Sequence, residues 1–596
     1  AGVIFQNDER PITVNTYSGN TTVIYKHDAS NPQTVIGGDF KITNAAENSA
    51  ITLLTDNTAV TADNRDDVLN ALAGKLWYMG YVDKHLTGMA RIAEGLTDSS
   101  AEVKSGFIAF SDGTTGTMQA GQGYYQTDTP IITGGNTIYG LADKDVKYVK
   151  NGIRQDDGTY KFTEDYVVAA VDSDVTEANL DDYDKGVAAV VGKGNDVSLD
   201  ANGHELTLKA DSTTKSVQGV GIYANKNAVI KAKNLNLQVT SNQGNAKGIY
   251  VHNGGDVTIN GDISLTVKQL ADGQAAGVDL YNGRSKLQVN GNLTMKGEED
   301  GYGVSAAQKS GYGSTKKYDA KGIYIYDNDG ASLTVTGDTD MAVKGVGIDM
   351  RGSKNNMIDL QGNVSIITPD DVKESESYQL INGAKGTLYI GMNEARDGAS
   401  GKDVTLQGEI NDSYANLHIG LGTRQSKWTG YVNKSTYGNG NVNLYLENGS
   451  TWNNRATNVQ ASYFNGSHVT KLAGGSDADH AGIIFQNDSK PITVDNYSGN
   501  TTILYKHEIV DNTARENAGF YGNKAASIIG GDFRIAKAAD GSAITLRTDR
   551  DGLNLDSTLY TDKNLVNDTL DKLANKLYYT ANDGKLAGKV EIAEGL

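Results

Sequence analysis

Five short openers recur along the middle of this 596-residue chain and constrain its fold more than any other feature. Gly221-Ile222-Tyr223, Gly248-Ile249-Tyr250, Gly277-Val278-Asp279, Gly322-Ile323-Tyr324 and Gly347-Ile348-Asp349 start 27, 29, 45 and 25 residues apart. Each precedes two alternating stretches about a tight turn, as in VTINGDISLTV (257–267), LQVNGNLTMK (287–296), LTVTGDTDMAV (333–343) and IDLQGNVSII (358–367). VSLDANGHELTLK (197–209) and VIKAKNLNLQV (229–239) fit the same frame. Period-two alternation over four to six residues is the mark of a half-buried strand. The Asn-Gly, Gly-Asp and Gly-Asn steps supply the positive φ angles that sharp corners need. Three short strands and their corners in about 25 residues make one coil of a parallel β-helix. A coil cannot bury its apolar face alone, so coils stack at strand spacing, about 4.8 Å. The fold expected is all-β, a right-handed parallel β-helix, with Ile222, Ile249, Val278, Ile323 and Ile348 pointing inward. A hairpin meander or sandwich is the rival, because the same Asn-Gly steps close hairpins. The recurring opener favours the helix, since a two-strand hairpin has no place for a third strand. The 45-residue step predicts one coil with an excursion at 296–319.

A longer repeat frames these coils. AGVIFQNDERPITVNTYSGNTTVIYKH (1–27) returns as AGIIFQNDSKPITVDNYSGNTTILYKH (481–507), with 20 of 27 positions identical. IGGDFKI (36–42) returns as IGGDFRI (529–535), SAITLLTD (49–56) as SAITLRTD (542–549), and IAEGL ends both copies. The second copy is longer by insertions around 508–520 and 550–566, which predicts loops on a repeated scaffold. Leu69, Leu72 and Leu76, and in the second copy Leu570, Leu573 and Leu577, share a helical face after acidic residues (Asp66-Asp67; Asp568). That spacing predicts short helices over about 66–79 and 567–580, with Trp77 and Tyr578 as packing residues. The organisation expected is therefore 1–96, first copy of a repeated end unit; 97–185, an irregular excursion or early coils; 186–480, parallel β-helix coils; and 481–596, second copy of the end unit. A tandem array with a period near 480 residues and a single internal duplication both fit, and both favour an elongated molecule.

Composition narrows function. The formal net charge of −19 disfavours a nucleic-acid surface. With no Cys there is no disulfide framework, thiolate metal site or Cys nucleophile. No apolar run reaches the roughly 18 residues of a spanning helix, so no direct membrane insertion is expected of this stretch. Ala1-Gly2-Val3-Ile4-Phe5 begins in mid-pattern and reads as the start of a mature piece of something longer.

The search for chemistry assigns no catalytic, cofactor-binding or metal residue, and no cofactor. None of the eight His lies in a metal or zincin spacing, and His27 and His507 are the same repeat position, which favours a structural role. Gly398-Ala399-Ser400-Gly401-Lys402-Asp403 lacks the spacing of a phosphate loop. Asp66-Asp67, Asp181-Asp182, Glu298-Glu299-Asp300 and Asp370-Asp371 read as solvated turns, and the acidic stretch 164–184 as a solvated excursion. Asp327-Asn328-Asp329-Gly330 and Gly474-Gly475-Ser476-Asp477-Ala478-Asp479 are fragments of calcium loops without the rest of the motif. Gly121-Gln122-Gly123-Tyr124-Tyr125 is a Tyr-bearing loop.

VNLYLENGSTWNNRATNV (442–459), QSKWTGYVN (425–433) and the GIY…VTINGD units together resemble the passenger region of a type V autotransporter adhesin of Gram-negative bacteria. The IGGDF…SAITL end units are similar to such surface proteins too, and the likeness covers most of 186–596. It implies export through the outer membrane by a C-terminal β-barrel; alternating barrel strands with aromatic girdles are not found in this sequence. The expectation is a secreted or surface-exposed structural or adhesive fibre, extracellular at the bacterial cell surface and not an enzyme. It acts by self-association or by attachment to a host or bacterial surface or a glycan. The alternative is a carbohydrate-active β-helix enzyme: a lyase, a glycosidase or a tailspike-like depolymerase. Two or three carboxylates about 5–9 Å apart in a groove would mark the enzyme, and flat polar faces the fibre.

Overall fold

Alternating strands too short to fold alone must find partners on neighbouring repeats. In the computed structural model the chain is mostly β, in long sheets of parallel strands. The structure describes residues 2–28, 31–46, 49–56, 60, 65–78, 86–94, 102–110, 116–117, 138–139, 148–149, 152–154, 159–162, 166–171, 186–194, 196–212, 217–241, 244–271, 273–298, 300–310, 316–369, 376–434, 438–455, 465–511 and 524–594. The chain divides into two compact units, 1–261 and 262–596.

In the second unit each repeat contributes three strand segments to three ladders. The openers form the first: Ala275–Tyr281, Ala320–Asp327, Val346–Gly352, Gln379–Gly383, Ile410–Asp412 and Val432–Lys434. Their register sets Val278 on Ile323, then Ile348, Ile381, Ile410 and Val432, one inward aliphatic per strand and all fully buried. The second ladder stacks Leu287, Leu333, Ile358, Leu388, Leu417 and Val442. The third stacks Met295, Met341, Ile366, Leu406, Trp428, Trp452, Ile484, Ile503 and Leu546. Segments flanking a tight turn pair with the next repeat rather than with each other, which rejects the hairpin rival here. Past Val432–Lys434 only the second and third ladders continue among the described residues.

In the first unit the openers pair the same way, with Val190 on Ile222 on Ile249, and all three are fully buried. Asn202-Gly203 turns the chain at φ angles of 54° and 88° between Val197–Asp200 and Leu206–Ser212. Both of those strands pair in parallel with Val229–Ser241. Part of the stretch read as a solvated excursion is instead ordered: Tyr166–Val171 pairs in parallel with Leu206–Asp211. The remainder of 172–184, with Asp181-Asp182, lies outside the described residues, as do Asp370-Asp371, His85 and the Gly121–Tyr125 loop.

The excursion at 296–319 is also smaller than its 45-residue step suggests. Val304–Ala306 rejoins the stack, with Val304 paired to Val267 and to Val343. What leaves the stack is a loop before Gly303 and a short antiparallel pair, Gln308–Ser310 with Lys316–Tyr318.

The two end units carry the same pairings. Gly2 faces Thr21 as Gly482 faces Thr501; Ile12 faces Phe40 as Ile492 faces Phe533; Ser49 faces Leu86 as Ser542 faces Leu586. Buried hydrogen bonds repeat with them. The Gln6 amide donates to Arg10 O (2.9 Å) and Gly38 O (3.1 Å), and the Gln486 amide to Lys490 O (3.0 Å) and Gly531 O (3.1 Å). The IGGDF motif has a physical reason. A Cβ on Gly38 would stand 2.2 Å from Arg10 O, and on Gly531 2.1 Å from Lys490 O, so only glycine lets the chain cross so close to its neighbour. Gln486 is 1% exposed and also accepts from the Asn454 amide at 2.6 Å. Replacing it with alanine removes the side-chain donor from Lys490 O and the acceptor from that amide, while Gly531 O keeps the Tyr505 hydroxyl (3.2 Å), and is expected to cost about 2 kcal/mol. Denaturant unfolding of Gln486→Ala that overlays the parent would refute this closure.

Both helices end about six residues earlier than the Leu spacing predicts. They span Arg65–Ala73 and Tyr560–Ala574. Leu76–Tyr78 and Leu577–Tyr579 are strands, paired to Phe40–Ile42 and Phe533–Ile535. Leu76 and Leu577 continue the helical period by coincidence, because their inward side serves a ladder. The second helix buries Leu565, Thr569 and Leu573 rather than Leu570, and it starts eight residues before Asp568, with Asp562 in its first turn. The insertion expected as a loop around 550–566 is therefore partly helix. Tyr578 lies on a strand and is 50% exposed, not packed on the helix.

Candidate functional site

The end of the opener ladder departs from the apolar rule that governs its beginning. Ile381-Asn382-Gly383, Ile410-Asn411-Asp412 and Val432-Asn433-Lys434 stack in register. Alternation turns the aliphatic inward and the Asn outward, then brings the third residue back to the inner side where the chain turns. At that inner corner stands Asp412, only 1% exposed.

The three Asn residues continue an outward row that begins Asp279, Tyr324, Asp349. The Asn433 amide donates to Asn411 Oδ1 at 2.9 Å, and the Asn411 amide to Glu409 Oε1 at 2.9 Å. Buried Glu409 also accepts from the Tyr431 hydroxyl through its other oxygen. These residues flank a polar groove of about 560 Å³, lined by the three Asn, Asp412, Ser413 and Lys434 on one side and by Asn465–His468 and Thr493 on the other. No Leu, Ile, Val, Phe, Tyr or Trp residue lines it. Lys434 Nζ donates to Thr470 Oγ1 at 3.1 Å and lies 3.7 Å from Asp495, which also meets His468 Nε2 at 2.8 Å.

Asp412 is the unusual group. Its Oδ1 accepts from the Ala415 N–H at 3.1 Å, while Oδ2 is buried with no hydrogen-bond partner. Burial pushes its carboxyl up to about 7, against the pull of the Ala415 and Ser413 N–H groups and the Lys434 ammonium. At neutral pH a large share of this acid therefore carries a proton and can donate a hydrogen bond.

A second cluster sits on the outward face of the second ladder. The His418 ring stacks on Tyr389, with centroids 5.0 Å apart, and the Arg396 guanidinium covers Tyr389 at 4.1 Å. Both ring nitrogens of His418 are buried without a partner, and burial, Lys471 and Arg396 all hold the imidazole below its usual range. This histidine packs as an aromatic.

The motifs singled out in the sequence take other parts. Both Asp327 oxygens accept backbone N–H groups: Asp329 (2.6 Å) and Gly330 (2.9 Å) on one, Arg284 (3.0 Å) and Ser285 (3.2 Å) on the other. Asp477 likewise caps Asp479 and His480, each at 3.0 Å. The His507 ring bridges Thr548 Oγ1 (3.0 Å) and Asp551 O (2.7 Å), which ties a corner of the end unit; the side chain of His27 lies outside the described residues. Gly398–Asp403 belongs to a loop beside the end of the second ladder, with Ala399 N donating to Glu447 Oε1 at 3.4 Å. Among the described residues, no group of three or more His, Asp or Glu is placed to hold a metal ion.

No sequence motif marked the groove in advance. The clue lay in the repeated Ile/Val-Asn-x triplets, which extend the opener past Gly347, and in an Asp where the period requires an inward residue. No protein-family model, curated protein or solved structure matches the chain. Its class thus rests on the fold and the groove: a mostly β protein with long parallel-strand sheets and a polar cleft at the end of one ladder.

Proposed function

We propose that this chain is a right-handed parallel β-helix that serves as a structural or adhesive fibre at a bacterial cell surface, in the manner of an autotransporter passenger. The observation that carries this reading is the in-register stacking of one aliphatic per opener, combined with end units that repeat down to individual hydrogen bonds. Such a solenoid gains length with each repeat and offers many weak lateral contacts, which add by multivalency. With a net charge of −19, contacts between copies are opposed by long-range repulsion that salt screens. Self-association is therefore expected to strengthen with NaCl or divalent cations, as followed by sedimentation velocity of the purified chain. A monomer at every salt level that also adheres to no cell or matrix surface would refute the fibre.

A second reading, a carbohydrate-active β-helix enzyme, is favoured by one observation: Asp412, Lys434, His468 and Asp495 gather at a single groove. Cleavage of a polysaccharide that is lost in Asp412→Ala would establish it over the fibre.

A further inference from the structure

We infer that the groove beside Asn411, Asp412 and Asn433 binds a neutral, hydroxyl-rich saccharide. The inference deepens the adhesive reading and takes only its biological setting from it, since the groove is defined without reference to a fibre.

The argument starts from what the groove lacks. A lipid tail or apolar ligand would leave its amides and hydroxyls unpaired, and such stranded groups cost about 1–3 kcal/mol each. A polyanion would meet the Asp495 carboxylate, which already occupies Lys434 and His468. A metal ion would meet Lys434, whose ammonium points to Thr470 and Asp495. What remains is a neutral ligand rich in both donors and acceptors.

What the groove offers fits that ligand. Each Asn amide carries an acceptor oxygen and two N–H donors in one plane, and those not used within the row (Asn382 itself donates to Asp349 Oδ1 at 2.7 Å) complement neighbouring hydroxyls, which both donate and accept. The Asn433–Asn411–Glu409 chain of hydrogen bonds holds two of these amides in fixed orientation before any ligand arrives. Asp412 adds a buried carboxyl oxygen with no partner in the protein. A ligand hydroxyl that satisfies it recovers the cost of leaving it bare.

The same outward face also supplies an apolar platform. Tyr281 and Tyr326 stack with centroids 5.4 Å apart on the opener strands that begin the row. From the Tyr324 strand to the Asn433 strand is four strand spacings, about 19 Å. A saccharide chain lying along the ladder can set a ring face on the tyrosines and its hydroxyls on the amides. A single sugar needs only the groove.

The test is an array of neutral and acidic glycans probed with the full chain, followed by titration calorimetry of each hit. Neutral glycans are expected to bind. Asn433→Ala is expected to weaken them about tenfold, the loss of one to two hydrogen bonds. Asp412→Ala is expected to weaken them similarly, while Asp412→Asn, which keeps a donor and an acceptor in place, stays within about threefold. Thermal unfolding of each variant separates lost binding from lost fold, and Asn433→Ala tests the inference even if Asp412→Ala fails to fold. The inference is overturned if no neutral glycan binds, if Asn433→Ala leaves binding unchanged, or if an acidic polysaccharide or an extended peptide displaces the neutral glycan from the groove. Sedimentation of the same samples keeps the two claims apart. Self-association without glycan binding removes the saccharide site and leaves the fibre, and the converse result does the reverse.

Discussion

Trp452→Ala is expected to be among the most damaging single substitutions in residues 262–596, at about 3–5 kcal/mol. Trp428 and Trp452 occupy one register position on successive strands of the third ladder. Their rings lie 4° from parallel with centroids 5.0 Å apart, an offset stack, and are 1% and 0% exposed. Each indole N–H reaches a carbonyl at the corner of its own ladder: Trp428 donates to Gly408 O at 3.1 Å, and Trp452 to Gly430 O at 3.0 Å. The corner is tight, since a Cβ on Gly430 would stand 1.9 Å from Gly408 O and 2.9 Å from the Trp428 indole nitrogen. Alanine at 452 thus removes a large apolar surface, opens a cavity beside Trp428 and strands a buried carbonyl. In a stacked array such a loss weakens the interfaces with both neighbouring strands. Denaturant unfolding monitored by the remaining tryptophans measures the effect, with the half-exposed Tyr414→Ala as a control expected within about 0.5 kcal/mol of the parent. A Trp452→Ala curve that overlays that control would show that the stack does not support the ladder.

How far the sequence foretells this molecule depends on whether a residue answers to a local rule or to a distant neighbour. Ile222, Ile249, Val278, Ile323 and Ile348 obey period-two alternation, and all five are fully buried. The Asn-Gly turns at 202–203, 253–254, 282–283 and 448–449 obey backbone sterics, and both residues of each have positive φ. The duplicated Gln6 and Gln486 networks follow from near-identical sequence. The failures have a common cause. Lys75-Leu76-Trp77-Tyr78 satisfies a helical period and a strand equally, and only the partner strand Phe40–Ile42 decides. Val304 lies in a polar, Gly-rich stretch, and its place in the core is fixed by Val267 and Val343. The groove is less legible still. Asn382, Asp412, Asn433, His468 and Thr493 are far apart along the chain and meet because strand register brings them together.

Asp412 should impose its own pH dependence on stability, with a sign opposite to that of a salt-bridged carboxylate. In the folded chain its carboxyl titrates at about 7, because burial disfavours the charge; once unfolded, it returns to its ordinary 3.8. Between those values the folded state holds a proton that the unfolded state releases. By linkage, stability then falls as pH rises through that window and levels off above it. A gap of roughly three pKa units bounds the loss at about 4 kcal/mol, and water in the groove brings it toward about 2 kcal/mol. Asp412→Asn removes the titration while its side-chain oxygen can still accept from the Ala415 N–H. The variant is therefore expected to be more stable than the parent by about 2–4 kcal/mol at pH 8 and nearly equal to it at pH 4. Guanidinium unfolding of both proteins at pH 4, 6 and 8 isolates this residue, because every other titrating group cancels in the difference. Parallel pH profiles for the two would mean that Asp412 ionises freely in the folded chain, and that its buried oxygen finds solvent or a partner after all.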